Sequence, residues 1–189
     1  MKKFMKLLVM TLIIMLAIPT MASAKTKQPK EVAKSYFAYA KKTDIKKVNS
    51  LTYENNFKVD AKQIKSVPSL MNYIKKYNKK MKVKVVSQKV KGNNATVKIK
   101  ATYVNSEEIS STFLGLALIY AISPEAQTDS EEVQMKKLDE LFNSAVAMCG
   151  KPKMQTKTMN IKLTKKKGKW LVNDTKAYKI ATADLYMDN

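Results

Sequence analysis

The sequence predicts an α+β domain in which N-terminal helices pack on a curved antiparallel sheet of about four strands. A helical hairpin is inserted between the two β-hairpins of that sheet. Three observations lead to this fold class. Apolar residues first recur at helical spacing, they later alternate with polar residues in two pairs of short runs, and the pairs are separated by a block containing STFLGLALIYAIS, residues 111–123.

Three helices are predicted before the first strand. Pro29 opens the first helix, Asp44 caps the second, and Ser66 with Pro68 introduces the third. Between the second and third helices lies a polar connection that contains Asp60. The apolar residues that recur every three or four positions, and so would face a core, are Val32, Ala33, Tyr36, Phe37, Ala40, Ile45, Val48, Leu51, Leu70, Met71, Ile74 and Tyr77.

Two β-hairpins follow from alternating runs on either side of a turn signal. Lys91-Gly92-Asn93-Asn94 joins the first pair of runs and Lys165-Lys166-Lys167-Gly168 joins the second. The inward residues of the four runs are Met81, Val83 and Val85; Val97, Ile99, Ala101 and Tyr103; Met159, Ile161 and Leu163; and Trp170 and Val172. Each hairpin then has one buried face and one wet, lysine-rich face. Asp174 ends the last strand, and residues 176–186 show rough helical spacing.

The block between the hairpins reads as two helices. Ser110 to Ser123 is apolar nearly all round, which predicts an inner helix that caps or plugs the sheet and exposes little surface to water. We expect a loop from Pro124 to Ser130 and a second helix capped by Asp129 together with Glu132. The second helix carries Leu138, Leu141, Phe142, Ala145 and Val146 on one face, and Gly150 and Pro152 end it.

The charge is large and unevenly distributed. The chain carries +21, every one of its 36 basic residues is lysine, and yet residues 107–140 hold eight acids and two lysines, a net −6 against +27 elsewhere. Lysine lacks the planar fork with which arginine binds phosphate, so the composition disfavours specific nucleic-acid recognition. We interpret the charge as a feature that keeps the protein soluble and close to the cell wall. The sharper alternative is that the lysines dock the protein to an anionic cell wall or membrane surface.

The first 24 residues have the layout of a secretory signal peptide. Lys2, Lys3 and Lys6 form a basic start, residues 7–18 are apolar, and Ala22-Ser23-Ala24 offers a cleavage site. The apolar run is shorter than the about 20 residues of a membrane span. We expect a secreted, extracellular protein, associated with the cell wall in the sharper reading of its charge, with one domain over residues 25–189. An anchor that stays uncleaved is the alternative.

Composition also narrows the chemistry. Histidine is absent, which removes the commonest general base and metal ligand, and Cys149 is the single cysteine, so no intramolecular disulfide can form. No metal-ligand spacing, phosphate-binding glycine loop or nucleophile motif occurs. We therefore predict no cofactor, no metal site and no catalytic residue, and we interpret Cys149 as a buried thiol.

The order of elements resembles the secreted nuclear-transport-factor-2-like domains of Gram-positive bacteria, a cystatin-like cone of helices against a curved sheet. The resemblance rests on the first helix, on Asp44, on Asn94-Ala95-Thr96-Val97 and on the closing hairpin from Leu163 to Val172. It covers residues 29–174, and this chain departs from the pattern in its insertion, residues 106–151. The resemblance implies an exported domain that binds a ligand in the cone, with Trp170 packed inside it.

The predicted function is a secreted, non-enzymatic binding or interaction domain. Its partner would be an apolar small molecule or a protein, with the oligomeric state left open. We place the site where the cone meets the inserted helix, at Tyr36, Tyr103, Phe113, Leu116, Tyr120 and Trp170.

The alternative is a cone enzyme acting on a small hydrophobic substrate. It would need a buried carboxylate as base and a tyrosine hydroxyl as oxyanion donor. The candidate acids and hydroxyls are Asp44, Asp60, Glu107 and Glu108 with Tyr36, Tyr39, Tyr73 and Tyr103. Helix capping explains Asp44 better than catalysis does, and core packing explains the tyrosines.

Overall fold

The computed structural model describes residues 27–53 and 66–185, and in them it confirms the α+β class. Seven helices and four strands occur within these ranges. In chain order they are α1 (Pro29–Lys41), α2 (Ile45–Ser50), α3 (Pro68–Asn78), β1 (Lys82–Lys91), β2 (Asn94–Val104), α4 (Glu107–Ala121), α5 (Pro124–Thr128), α6 (Glu131–Cys149), β3 (Met154–Lys166), β4 (Lys169–Val172) and α7 (Thr175–Ala181).

The four strands form one antiparallel sheet in the order β1-β2-β3-β4. Both predicted hairpins are confirmed, and β2 pairs with β3 across the insertion, with Val97 opposite Ile161. The register of β1 on β2 shifts between Val85 and Ser87, so Val86 forms a β-bulge. Since successive strand residues face opposite sides, the sheet has one apolar inner face and one polar outer face.

A first hydrophobic core, which we call the sheet core, fills the inner face. It joins α1, α2 and α7 to all four strands, and Val97, Ile99 and Ile161 in it are completely buried. Trp170 packs into it, as the resemblance predicts, with 7% of its surface exposed. The cavity lined by Ala40, Val48 and neighbouring residues measures about 20 Å³, room for about one water molecule and not for a ligand.

A second core, the helical core, lies at one end of the sheet. Its buried members come from α3, α4, α6 and the turn after α7, and Val104 is the one buried residue that a strand supplies. Phe142 is its centre, with edge-to-face contacts to Tyr73 (5.6 Å between ring centroids) and Phe113 (5.4 Å). The inserted hairpin therefore packs on α3 and does not plug the sheet core.

Buried polar side chains join the two cores. Asn78, 2% exposed, donates to the carbonyls of Ala40 (3.0 Å) and Ala181 (2.8 Å), and thereby ties α3 to α1 and α7. The Ser106 hydroxyl donates to the Ala183 carbonyl at 2.7 Å and shares a 2.8 Å hydrogen bond with the Tyr73 hydroxyl. Because an unpaired buried polar group is costly, these bonds fix the helical core in one position on the sheet core.

Two local predictions about the insertion are wrong in detail, whereas those about Asp44 and Asp174 agree with the structure. The stretch predicted as a loop after Pro124 is the short helix α5, which Ser123 caps by accepting from the Ala126 N–H. Ser130, not Asp129, caps α6. The predicted cap at Asp44 is confirmed, since its carboxylate accepts from the Lys47 N–H at 3.2 Å. Asp174 does more than end a strand, because it also caps α7.

The predicted signal peptide and Asp60 lie outside the described residues. Within residues 27–53 and 66–185, no helix combines the length and the apolar character that crossing a membrane requires.

Candidate binding site

Helix α4 turns an apolar face outward. Four large aliphatic side chains are exposed: Leu114 (43%), Leu118 (56%), Ile119 (67%) and Ile122 (80%). A single exposed leucine is common, but a contiguous patch of such side chains usually marks a binding surface. With Gly115 and Ala121, which are also exposed, they form one continuous strip that we call the α4 face. The prediction that this helix leaves little surface for water is therefore wrong.

The α4 face exists because the helix is apolar on every side and can be buried on only one. Ile109 and Ser110 are its fully buried residues, and Phe113 and Leu116 are half-buried against α3 and α6. α6 covers one flank of α4. Burial of one stripe is sufficient to hold the helix, so the opposite strip stays in solvent.

An apolar pocket borders the α4 face. It has a volume of about 260 Å³ and shares Leu114 with the face. Pockets that hold a drug-sized small molecule measure about 300–1,000 Å³, so this pocket suits one or two apolar side chains. Its lining comes from four helices and the C-terminal turn: Leu70, Ile74, Phe113, Leu114, Ala117, Phe142 and Leu185, with Ser110, Tyr178 and Thr182 as polar members.

Gly115 stands in the middle of the α4 face. A Cβ added there would meet no atom within 4 Å, so the fold itself does not require glycine. Glycine inside a helix costs about 1 kcal/mol relative to alanine. Because Gly115 destabilises the helix and no neighbouring residue requires it, its lack of a side chain suits the close approach of another chain's backbone.

Acidic groups surround the α4 face. Glu107 and Glu108 begin the helix, and Glu131 and Glu132 begin α6 near its other end. At the C-terminal end, the Tyr120 hydroxyl donates to the Asp129 carboxylate at 2.7 Å, and this bond raises the Tyr120 pKa to about 12. The site is thus an apolar strip within a region of net charge −6, on a chain that is otherwise basic.

The six residues predicted to bind a ligand do not meet in one place. Tyr36, Tyr103 and Trp170 belong to the sheet core. Tyr36 is 1% exposed, and burial is the main cause that raises its pKa. Trp170 also lines a surface pocket of about 400 Å³ with Val32, Leu51 and the β3–β4 turn. A ligand role for these three residues remains a prediction.

The other three lie on α4. Phe113 lines the apolar pocket, and Leu116 is half-buried in the helical core. Tyr120 is half-exposed and bonded to Asp129, so it is held at the rim of the α4 face. Sequence reasoning missed Leu114, Leu118, Ile119 and Ile122, although the length of the uncharged run was a signal that could have found them.

The groups considered for catalysis are engaged in structural roles. Asp44 is a half-buried helix cap in an ion pair with Lys47 at 2.9 Å, and Glu107 and Glu108 are exposed. The Tyr73 hydroxyl is bonded to Ser106, while burial raises its pKa to about 12. Within the described residues, every buried side-chain nitrogen and oxygen has a hydrogen-bond partner, and no cluster of acids and cysteine could hold a metal ion.

Asp184 is a half-buried acid that sequence reasoning also missed. Burial raises the pKa of its carboxyl group, which accepts a 3.3 Å hydrogen bond from the Gln155 amide. The buried Tyr103 hydroxyl lies close enough for the two charges to interact, and burial raises the Tyr103 pKa to about 12. Nothing in its local sequence distinguishes Asp184, because its burial comes from the packing of the C-terminal turn on Ser106 and Ser110.

Comparison with known proteins gives no relative for the chain: no protein-family model, no curated protein and no solved structure matches it. The resemblance to nuclear-transport-factor-2-like domains therefore stays a prediction, and the candidate site depends on its own geometry.

Proposed function

We propose that this protein is an exported, non-enzymatic binding domain whose α4 face and adjoining pocket bind an apolar, basic segment of a partner protein. The observation that carries the proposal is the exposure of four large aliphatic side chains in one strip of α4. Desolvating apolar surface is the main favourable term in most protein association. Export is proposed from the signal-like first 24 residues.

The filled sheet core favours a protein partner over a small molecule. A ligand inside a cone needs an enclosed volume, whereas this core is bordered by a cavity of about 20 Å³ and by an open surface pocket of about 400 Å³ at Trp170. The pocket at α4 opens next to the α4 face, which matches a segment that inserts one side chain and lays others along a helix. A nuclear-transport-factor-2-like ancestry is compatible with this arrangement, with the site moved from the cone to the insertion.

Charge indicates which segment would bind. The acids near both ends of α4 attract lysine or arginine and repel carboxylates, so a basic, apolar segment is complementary to the site. A symmetric dimer through α4 is disfavoured by the same acids. Antiparallel pairing of two copies would bring Glu107 and Glu108 of one copy towards the acidic C-terminal end of the other α4.

The test uses two designed amphipathic helical peptides of equal length, one of leucine and lysine and one of leucine and glutamate. We expect the lysine peptide to bind at least about tenfold more tightly in a fluorescence anisotropy titration, a difference of 1.4 kcal/mol. The double variant L118S/I119S should weaken that binding by about tenfold or more. Val86→Ser is the matched control, because Val86 is as exposed as Leu118 (54% and 56%) but lies on the sheet.

Three results would contradict the proposal. Equal binding of both peptides, or equal loss in the Val86→Ser control, would show that the α4 face does not select the segment. A wild-type dimer in analytical ultracentrifugation that L118S/I119S dissociates would show that a second copy occupies the face instead.

A further inference from the structure

The outer face of the sheet carries an unusual set of side chains. In the four cross-strand rows from Lys89 to Lys82, the strands β1, β2 and β3 place twelve residues on this face: six lysines, four threonines, one serine and one asparagine. None is a carboxylate, an aromatic residue or an aliphatic one. The lysines, which we call the outer-face lysines, are Lys82, Lys84, Lys89, Lys98, Lys100 and Lys162, and all six are exposed.

The arrangement is electrostatically unfavourable for the protein alone. Lys84 lies directly opposite Lys100 in the register, and like charges in opposed positions destabilise a sheet. The ion pairs found within residues 27–53 and 66–185 are Lys47 with Asp44 and Lys137 with Glu140, so none of them neutralises an outer-face lysine. The face thus holds concentrated positive charge that the described part of the fold does not compensate.

Protection of a sheet edge explains only part of this pattern. Lysine on an edge strand discourages pairing with another chain, and β1 is an edge strand. Lys98 and Lys100, however, lie on the central strand β2, and Lys162 lies on β3, where both neighbouring strands are already paired. The positive charge extends across the sheet and is not confined to its edge.

We propose that the outer face binds a linear, non-aromatic phosphate polymer along the strand direction. Every row carries one or two lysines, and successive rows are about 6.8 Å apart because residues on one face alternate. The four rows make a track of about 20 Å, along which an extended chain of phosphates meets a cation at each step. The hydroxyl groups between the lysines donate hydrogen bonds to phosphate oxygens.

The composition of the face distinguishes this polymer from two other polyanions. Single-stranded nucleic acid is held by aromatic side chains that stack on its bases, and these rows contain none. A lipid bilayer is held by several apolar or aromatic side chains that enter the interface, whereas the twelve residues of these rows include none and Val86 of the β-bulge is an isolated valine beside them. Flexible lysines with small hydroxyl neighbours suit phosphates that carry no base and no acyl chain.

Long-chain inorganic polyphosphate is the probe for the test, with binding measured by calorimetry at two salt concentrations. We expect the variant K84Q/K98Q/K100Q to bind at least about tenfold more weakly than the wild type. The salt dependence, as the slope of log K against log salt, should fall by about 2, since each lost phosphate contact removes about 0.7 from the slope for a single strand.

The matched control is K34Q/K41Q/K46Q, which removes the same charge from exposed lysines on α1 and α2. It should change binding by less than about twofold, and both triple variants should keep the wild-type melting temperature within a few degrees. Equal weakening by both variants would overturn the proposal, because net charge would then explain the binding. Tighter binding to oligodeoxythymidylate or to phosphatidylglycerol vesicles than to polyphosphate would also overturn it, in favour of a base-bearing or a lipid partner.

Discussion

The sheet core and the helical core are built from similar residues but treat their apolar surface in opposite ways. In the sheet core, helices cover the inner face, which is bordered by a cavity of about 20 Å³ and by an open surface pocket of about 400 Å³ at Trp170. In the helical core, α4 is buried on one side and leaves a strip of leucine and isoleucine in solvent. The difference follows from geometry. The sheet has only one apolar face, which the helices can cover, whereas a helix that is apolar on all sides has more apolar surface than its neighbouring elements can bury.

The surfaces beside the two cores also differ in the sign of their charge. Acidic residues surround the α4 face, whereas lysine covers the outer face of the sheet. If both proposals are correct, an apolar partner bearing positive charge and a phosphate polymer bind to separate places on one small domain. Stability measurements can test the comparison between the cores, since they separate residues that the fold needs from residues that it only tolerates.

The largest effect is expected from emptying either core. Phe142→Ala should lower the free energy of unfolding by about 3–5 kcal/mol and Ile161→Ala by about 2–5 kcal/mol, measured by urea denaturation. Both side chains are at most 1% exposed. Ile119→Ala, from the α4 face, is the control and should change stability by about 0.5 kcal/mol or less. A loss at Ile119 as large as that at Ile161 would show that the face is covered in the isolated protein.

A smaller effect of the opposite sign is expected at Gly115. Gly115→Ala should raise the free energy of unfolding by about 1 kcal/mol, because alanine favours the helix and its methyl group meets no atom within 4 Å. Gly150→Ala is the contrast: its φ of +69° suits glycine alone, so alanine there should destabilise. If Gly115→Ala destabilises instead, the strip is packed against something within the protein. If the proposed binding is correct, the same change should weaken binding of the lysine peptide.

The smallest effect is a pH dependence at the junction of the cores. Burial raises the pKa of Asp184 above its unfolded value, so the folded protein holds a proton that the unfolded chain releases. Wild-type stability should therefore fall as pH rises from the ordinary aspartate pKa towards the raised one. Asp184→Asn keeps the amide contact to Gln155, tolerates the positive φ, and should reduce this fall in melting temperature.

Asp44 provides a control of opposite sign for that experiment. Its hydrogen bonds to Lys47 lower its pKa, so its contribution is present above the unfolded pKa and is lost as pH falls through the lowered one. Asp44→Asn should therefore reduce stability at neutral pH and leave it nearly unchanged in strong acid. If the Asp184→Asn protein shows the pH profile of the wild type, the C-terminal turn is more hydrated than the structure indicates.

Local pattern predicted most of the elements, for identifiable reasons. The hairpins were predictable because apolar side chains alternate with lysine on either side of Lys91–Asn94 and Lys165–Gly168. The caps were less so: Asp44 was identified, but Ser130 was passed over for its neighbour Asp129, since either residue type can cap a helix. Helix α5 was missed although Ser123 followed by Pro124 is a start signal.

Composition and periodicity by themselves determined the fold class, the two hairpins, the −6 block and the presence of an apolar helix in the insertion. Tertiary structure decided which strip of that helix meets water, because a helix that is apolar all round has no polar side to orient it. It also decided that Tyr36 and Trp170 lie in a different core from Phe113 and Leu116. Such separations depend on contacts between residues far apart in the chain, which no local period encodes.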